Sequence, residues 1–365
     1  MVRKRPALAR AGLIVAVALG ATAGLAAISP DRSSPAAADP AATAGRLVKL
    51  PDGRRLNFRC SGTGAPTVVL EGGFAATSLA WTKVQALIAP TNRICAYDRA
   101  GYGFSDPGPM PRDGAAVARD LDDGLRAARI DGPLIIVGHS AGGLYARLFA
   151  DRRPRDVVGM VLVDPSIEYQ DRRLAAVFGP GTGSVAGLRD RAARCLAAAT
   201  DKKLPSADPA LAKCVPADRP SASVAANAAR RVEALRPATW ATQVSELDAL
   251  WTGTSDAVAA GRPSYGAMPL IVLTAGDTYA ATREGARAQV EQVWIGFHSE
   301  IAARSTRGSH RTILGASHLM MIDRPDAVAA AIAEVSAAVA GARSAGGSMR
   351  VARVFAPLGT HQAIG

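Results

Sequence analysis

The chain has 365 residues, of which 48% are hydrophobic, 20% are charged and 5% are aromatic. This length fits about two domains, or one large domain with an insertion, at about 150 residues per domain, and the composition excludes collagens, coiled coils and wholly disordered chains. The net charge of +12 comes mostly from arginines scattered singly through alanine-rich sequence. Because dispersed charge makes no focused patch, we expect no binding of nucleic acid.

Residues 1–44 have the pattern of an export segment. Basic residues within the first ten positions precede an uncharged apolar stretch at 11–28, and a linker rich in Ala, Pro and Ser continues to residue 44. A signal peptide has this order of features. The apolar stretch is also close to the minimum for a membrane-spanning helix, so an uncleaved N-terminal anchor is the alternative. In both cases we expect the remaining chain outside the cytoplasm, either secreted or anchored to the outer side of the membrane through residues 11–28.

Short apolar segments alternate with helical segments from residue 46 onward. Strands are predicted at 46–50, 55–60, 67–70, 93–97, 134–137, 157–163, 269–274 and 311–314, and helices at 81–89, 113–129, 140–151, 281–304 and 325–341. Continuous apolar strands that alternate with helices indicate a mostly parallel sheet covered on both faces. Residues 166–265 are Ala-rich and contain no convincing strand. We therefore predict an α/β domain made of residues 46–165 and 266–342, a helical insertion at 166–265 after the sixth strand, and an irregular tail at 343–365.

One motif in this pattern carries chemistry. The segment Gly138-His139-Ser140-Ala141-Gly142-Gly143 stands between the apolar strand 134–137 and the next helix. It matches the G-x-S-x-G nucleophile elbow, in which glycines allow a sharp turn that exposes the serine at the carboxyl end of the sheet. Ser140 is therefore the predicted nucleophile.

Three segments together resemble a known family. The loop Asp98-Arg99-Ala100-Gly101-Tyr102-Gly103-Phe104-Ser105-Asp106, the elbow 138–143, and Gly315-Ala316-Ser317-His318 followed by Asp323-Arg324-Pro325 are similar to the corresponding motifs of α/β-hydrolase-fold enzymes. The resemblance covers residues 46–165 and 266–342. It implies an α/β-hydrolase fold, a cap or lid domain at 166–265, and a reaction that needs no metal or organic cofactor.

A serine nucleophile needs a base and an acid. Elimination among the five histidines and the family resemblance both indicate His318 as the base, and His139 is expected to pack rather than to catalyse. The family order Ser…Asp…His implies Asp277 as the acid, because it follows the strand before the histidine strand. Asp164 ends strand 157–163 at the same edge of the sheet and remains the alternative acid.

The oxyanion hole requires two backbone N–H donors. Ala141, directly after the nucleophile, is expected to supply one. The other is expected from the loop after strand 67–70, where Gly73 is favoured over Phe74. The family commonly has His-Gly at the start of this loop, and Glu71 replaces the histidine here.

The chain has four cysteines, and an even number in an oxidising compartment predicts two disulfides. The sequence alone leaves three pairings open, and no C-x-x-C spacing indicates a metal site. The strand order of the resembled fold brings Cys60 and Cys95 together, and Cys195 and Cys214 both lie in the insertion. We therefore expect the pairs Cys60–Cys95 and Cys195–Cys214.

The sequence thus predicts an exported serine hydrolase that cleaves carboxylic esters, with a small-molecule ester as substrate, through an acyl-enzyme. Serine at the elbow argues against dehalogenase and epoxide-hydrolase chemistry, which use an aspartate there in this fold. Lactonase, amidase, acyltransferase and perhydrolase activities remain open within the same fold. The alternative from a different class is a non-catalytic exported binding protein.

Overall fold

The computed structural model describes residues 39–220, 222–280 and 284–354, with backbone only at 284–285 and 343–354. All but the last six residues of the predicted export segment lie outside this part of the chain. The same is true of the last eleven residues of the predicted irregular tail.

An eight-stranded sheet forms the centre of the described structure, in the order β1-β2-β4-β3-β5-β6-β7-β8. The strands are β1 Arg46–Lys49, β2 Arg55–Ser61, β3 Thr67–Glu71, β4 Ile94–Tyr97, β5 Leu134–His139, β6 Val157–Val163, β7 Leu270–Ala275 and β8 Gly308–Ile313. β2 is antiparallel to β1 and β4, and all other neighbours are parallel. The predicted, mostly parallel sheet is therefore confirmed. The last strand starts three residues earlier than predicted, so that His310 lies within β8.

Helices cover both faces of the sheet. They are α1 Thr82–Ile88, α2 Gly114–Ala127, α3 Ala141–Arg152, α4 Gln170–Phe178, α5 Ala186–Thr200, α6 Val224–Ala234, α7 Pro237–Leu250, α8 Gly253–Ala259, α9 Glu284–Ala302, α10 Met320–Asp323 and α11 Pro325–Val354. Alternate residues of each strand point to opposite faces. In β5, Ile136 packs in the cluster that includes α2, α3 and α9, whereas Ile135 and Val137 pack with α1 and α11. The sheet thus has an apolar core on each side.

Among the described residues, the regular elements of the insertion between β6 and β7 are the helices α4 to α8, joined by turns and loops. One disulfide joins Cys195 on α5 to Cys214 in the following turns, and both cysteines are buried. The other joins Cys60 and Cys95, which are opposite each other in the β2–β4 register. Both pairings agree with the prediction.

The helix α11 has an 18-residue stretch, Pro325–Ala342, whose length and composition would allow it to cross a membrane. Four side chains at helical spacing, Val328, Ile332, Val335 and Val339, are at most 4% exposed and pack on the sheet. This periodicity is that of a core helix. α11 continues to Val354, whereas the sequence pattern predicted an irregular segment from 343.

Candidate active site

Ser140 stands at a strained turn between β5 and α3. Its φ of 53° and ψ of −127° are rare for a residue with a side chain. A Cβ atom at Gly138 would lie 2.5 Å from the carbonyl oxygen of Gly142, and one at Gly142 would lie 2.6 Å from the carbonyl oxygen of Glu71. Both positions therefore require glycine, and the turn they allow presents the serine at the carboxyl edge of the sheet.

The imidazole of His318 lies beside this serine. His318 Nε2 is 3.0 Å from Ser140 Oγ, and the ring is carried on the loop that follows β8. The backbone carbonyl of His318 accepts a hydrogen bond of 2.8 Å from His139 Nε2. Burial, with a smaller contribution from His318, lowers the pKa of His139 to about 3, so that this ring stays neutral. His139 therefore does more than pack, because it also holds the histidine loop.

The carboxylate that contacts His318 is Asp164. Its Oδ2 is 2.6 Å from His318 Nδ1, whereas the Asp277 side chain is 45% exposed and faces Arg287 at 3.4 Å. The predicted contact between Asp277 and His318 is therefore wrong. The carboxylate of Asp164, directly after β6, is buried under the imidazole, whereas the side chain of Asp277, after β7, turns towards the surface and pairs with Arg287.

Asp164 is fully buried and accepts four hydrogen bonds. Trp294 Nε1 and the Ala275 N–H donate to Oδ1 at 3.0 and 3.1 Å, and Thr278 Oγ1 donates to Oδ2 at 2.6 Å, beside His318. Burial by itself would raise the pKa of this carboxyl. The hydrogen bond and charge of His318 outweigh that effect and lower the pKa to about 2. Asp164 is therefore an anion at neutral pH.

The predicted oxyanion loop lies against the nucleophile. A Cβ atom at Gly73 would be 3.0 Å from Ser140 Cβ and 2.8 Å from His139 Nδ1, so only glycine allows this approach. Among the described residues, the N–H groups of Gly73 and Phe74 have no acceptor. Ala141 begins α3, and the first N–H groups of a helix have no partner within it. Ala141 thus follows Ser140 in the chain, Gly73 lies against it in space, and Phe74 is the next residue of the loop.

Arg99 explains why glutamate replaces histidine at the start of this loop. Its Nη1 donates to Glu71 Oε1 at 2.9 Å and to the Gly72 carbonyl at 2.6 Å, and its Nη2 donates to the Gly73 carbonyl at 2.8 Å. Glu71 and Arg99 are both buried. The Asp-Arg motif at 98–99 was a sequence signal for this contact, although no role was predicted for the arginine.

Two further groups at the site carried no sequence signal. Trp294 on α9 and Thr278 after β7 stand in no motif, yet both donate to Asp164.

Among the described residues, no group of three or more His, Cys, Asp or Glu side chains is placed to hold a metal ion.

A family model described as "Alpha/beta hydrolase family" matches residues 68–331. This region includes the elbow, the insertion and the histidine loop. The chain belongs to the alpha/beta hydrolase family. The predicted fold class is thereby confirmed, and a hydrolase fold supports an enzyme.

Curated relatives match only part of their own length. The chain is 40% identical over 128 residues to the "Probable transporter efuK" of Hormonema carpetanum, which is 33% of this chain and 18% of that protein. It is 37% identical over 113 residues to an "AB hydrolase superfamily protein" of Gibberella zeae, which is 30% of this chain and 35% of that protein. These matches therefore cover well under two thirds of either relative.

Solved structures share the fold. An "Epoxide hydrolase CorEH without ligand" aligns with a TM-score of 0.60 at 16% identity, over 80% of this chain and 98% of that chain. A thermophilic esterase from Thermogutta terrifontis aligns with a TM-score of 0.51 at 18% identity, over 80% of this chain and 98% of that chain. At these identities the likeness concerns the fold alone.

Proposed function

We propose that the protein is an exported serine hydrolase that cleaves carboxylic esters of small molecules through Ser140, His318 and Asp164. The supporting observation is the continuous chain of contacts from Ser140 Oγ to His318 Nε2 at 3.0 Å and from His318 Nδ1 to Asp164 Oδ2 at 2.6 Å. A nucleophile, a base and an orienting acid need this geometry. Asp164 takes the place in the triad that was predicted for Asp277.

The acylation step uses each of these groups. His318 Nε2 accepts the Ser140 hydroxyl proton while Oγ attacks the ester carbonyl carbon. The buried Asp164 anion stabilises the imidazolium that forms and keeps its Nδ1–H directed at the carboxylate. The carbonyl oxygen becomes an oxyanion, which accepts hydrogen bonds from the N–H groups of Ala141 and Gly73, with Phe74 as the alternative donor in the loop.

Collapse of this intermediate breaks the bond to the alcohol oxygen. The leaving alcohol takes the proton from His318 Nε2, and the acyl group remains on Ser140 Oγ. Water then attacks the acyl-enzyme with His318 again as the base. The carboxylic acid leaves, and the Ser140 hydroxyl is restored, so no cofactor is needed.

The chemistry of the nucleophile favours ester cleavage over epoxide opening. An aspartate nucleophile attacks an alkyl carbon and is itself left as an ester, whereas an activated serine hydroxyl attacks an acyl carbon. Ser140 is the residue at the elbow. The epoxide hydrolase among the structural neighbours therefore supports the fold but not the reaction.

Export rests on two features. The sequence of residues 1–44 has the pattern of a signal peptide or membrane anchor, and the structure contains two disulfides with no free cysteine among its described residues. Disulfides persist mainly in oxidising compartments. Fractionation of cells that produce the full chain tests this part, and retention of the protein in the cytoplasm with reduced cysteines would contradict it.

The decisive experiment combines a fluorophosphonate probe with a series of p-nitrophenyl esters of increasing acyl length. We expect the wild-type protein to be labelled at Ser140 and to hydrolyse at least the shorter esters. Ser140→Ala should lose the label and about 10⁴–10⁶ in kcat, with an unchanged circular dichroism spectrum. A wild-type protein that is neither labelled nor active would instead indicate a binding protein.

A further inference from the structure

A buried ionic cluster connects the oxyanion loop to the insertion. Arg99 is 2% exposed and lies between two carboxylates, Glu71 at 0% and Glu246 at 1%. Glu246 belongs to α7 in the insertion, and its Oε1 accepts from Arg99 Nε at 3.0 Å. A longer contact of 3.4 Å joins Arg99 Nη2 to Glu246. Together with the contacts to Glu71, Gly72 and Gly73, the guanidinium thus directs its N–H groups at two carboxylates and two loop carbonyls.

Stability alone is a weak reason for such a cluster. Two buried carboxylates share one guanidinium, and the desolvation cost of buried ion pairs commonly exceeds their attraction. Burial raises the pKa of Glu71 to about 7 against the opposing effect of Arg99, and the charge of Glu246 adds to the rise. The cluster is held by further donors, since Tyr97 donates to Glu71 at 2.5 Å and Tyr102 donates to Glu246 at 2.9 Å.

The peptide groups that Arg99 holds are the ones that carry the candidate oxyanion donors. In a trans peptide the N–H points away from the carbonyl of the same plane. The Gly72 carbonyl shares a plane with the Gly73 N–H, and the Gly73 carbonyl shares a plane with the Phe74 N–H. Because both carbonyls accept from Arg99, both N–H groups are fixed on the side opposite to the guanidinium.

The insertion docks closely on the segment that carries Arg99. Thr239 Oγ1 on α7 donates to the Gly101 carbonyl at 3.0 Å. A Cβ atom at Gly101, whose φ is +89°, would lie 2.0 Å from Thr242 Oγ1 on the same helix. The helix α7 therefore contacts the loop after β4 in two ways: its threonines lie against the backbone of Gly101, and Glu246 pairs with Arg99.

We propose that Glu246 and Arg99 are positioning residues that make the orientation of the Gly73 and Phe74 N–H groups depend on the docking of α7. This inference rests on the proposed serine-hydrolase function and assigns the insertion a part in catalysis besides covering the site. A glutamine at 246 keeps one oxygen for Arg99 Nε, but it loses the charge and places an NH2 group, which cannot accept, where Oε2 accepts from Arg99 and Tyr102. The guanidinium is then held less firmly, and the loop carbonyls lose a fixed common anchor. The N–H groups then stabilise the oxyanion less well, although the ester still binds.

The test compares Glu246→Gln with Asp122→Asn as a matched control. Asp122 is also a buried carboxylate with arginine partners, Arg152 and Arg153. These lie at the end of α3 opposite to Ser140, about 18 Å away for a 12-residue helix. Each variant is assayed for kcat, KM and the rate of fluorophosphonate labelling, per folded molecule.

We expect Glu246→Gln to lower kcat about 10- to 100-fold and to leave KM within about twofold of wild type. This loss in kcat is smaller than the roughly 10²–10³ that removal of a whole oxyanion donor costs. Arg99→Lys, which keeps the charge but loses the planar fork, should show the same split, and the labelling rate should fall in parallel. Asp122→Asn should lower the thermal midpoint while kcat per folded molecule stays within about threefold, a change of about 0.7 kcal/mol in the barrier.

An active wild type whose Glu246→Gln variant behaves like Asp122→Asn would overturn the positioning role and leave the proposed function intact. The same conclusion follows if Glu246→Gln raises KM while kcat is unchanged, since this pattern means lost binding. A wild type that is neither labelled nor active overturns the proposed function and the inference with it.

Discussion

Two aspartates follow neighbouring parallel strands at the same edge of the sheet, yet their surroundings are opposite. Asp164 after β6 is fully buried with four hydrogen-bond donors around its carboxylate. Asp277 after β7 is 45% exposed and faces one half-exposed arginine. The difference shows that the order of residues along the chain does not choose the acid of a triad. The choice depends on which carboxylate the fold surrounds with donors within reach of the imidazole.

The most direct test of this difference between the two aspartates is to neutralise each carboxylate in turn. Asp164→Asn should cost about 10⁴ in kcat, because an amide at this position leaves the imidazole in the wrong tautomer. Asp277→Asn should stay within about threefold of wild type, about 0.7 kcal/mol in the barrier. Both are measured as kcat per folded molecule with a p-nitrophenyl ester, and a larger loss for Asp277→Asn would restore that residue as the acid.

The donors around Asp164 provide a finer test. Trp294→Phe keeps an aromatic ring and removes the N–H that donates to Oδ1 at 3.0 Å. We expect kcat to fall on the order of tenfold, since a hydrogen bond to a charged group contributes about 1.5–3 kcal/mol and about 1.4 kcal/mol is tenfold in rate.

The matched control acts on the partner of the other aspartate. Arg287→Met removes the cation that faces Asp277 and should leave kcat unchanged. Equal losses in the two variants would mean that the surroundings of Asp164 have no special part in the reaction.

The smallest expected effect is a pH dependence of stability near Asp164. His298 Nε2 donates to the Pro165 carbonyl at 2.9 Å, and burial lowers the pKa of this ring to about 4. The folded state therefore favours the neutral ring, so its stabilising contribution is complete above the unfolded pKa of about 6.5 and is lost as the pH falls towards 4.

Urea unfolding between pH 7 and pH 5 measures this contribution. The free energy of unfolding should decrease as the pH is lowered from 7 to 5. His298 should contribute up to about 1.4 kcal/mol per pH unit to this decrease. His298→Gln should show a shallower slope. In both proteins the buried His139 adds to the slope, and Glu71, whose pKa burial raises to about 7, opposes it. Parallel slopes in the two proteins would contradict a neutral His298 in the folded state.

The sequence was sufficient for the features that depend on local pattern. Apolar strands alternating with helices predicted the sheet. The glycines around Ser140 predicted the turn, because the steric limit at Gly138 comes from Gly142, only four residues away. The Cys60–Cys95 pair followed from the strand order that the family resemblance implied.

What the sequence could not provide depends on contacts between distant segments. Asp164 and Asp277 both follow apolar strands, and only the folded sheet decides which of them faces His318. Trp294 reaches Asp164 from α9, 130 residues further along the chain. Glu246 reaches Arg99 from the insertion across 147 residues, and nothing in the sequence near either residue indicates that contact.

The most direct test of the account observes the proton between His318 and its acid. Proton NMR of the wild-type protein should show a far-downfield resonance from the His318 Nδ1–H that donates to Asp164 Oδ2. We predict that Asp277→Asn keeps this resonance and that Asp164→Asn loses it. Loss of the resonance in Asp277→Asn, with retention in Asp164→Asn, would contradict the central claim.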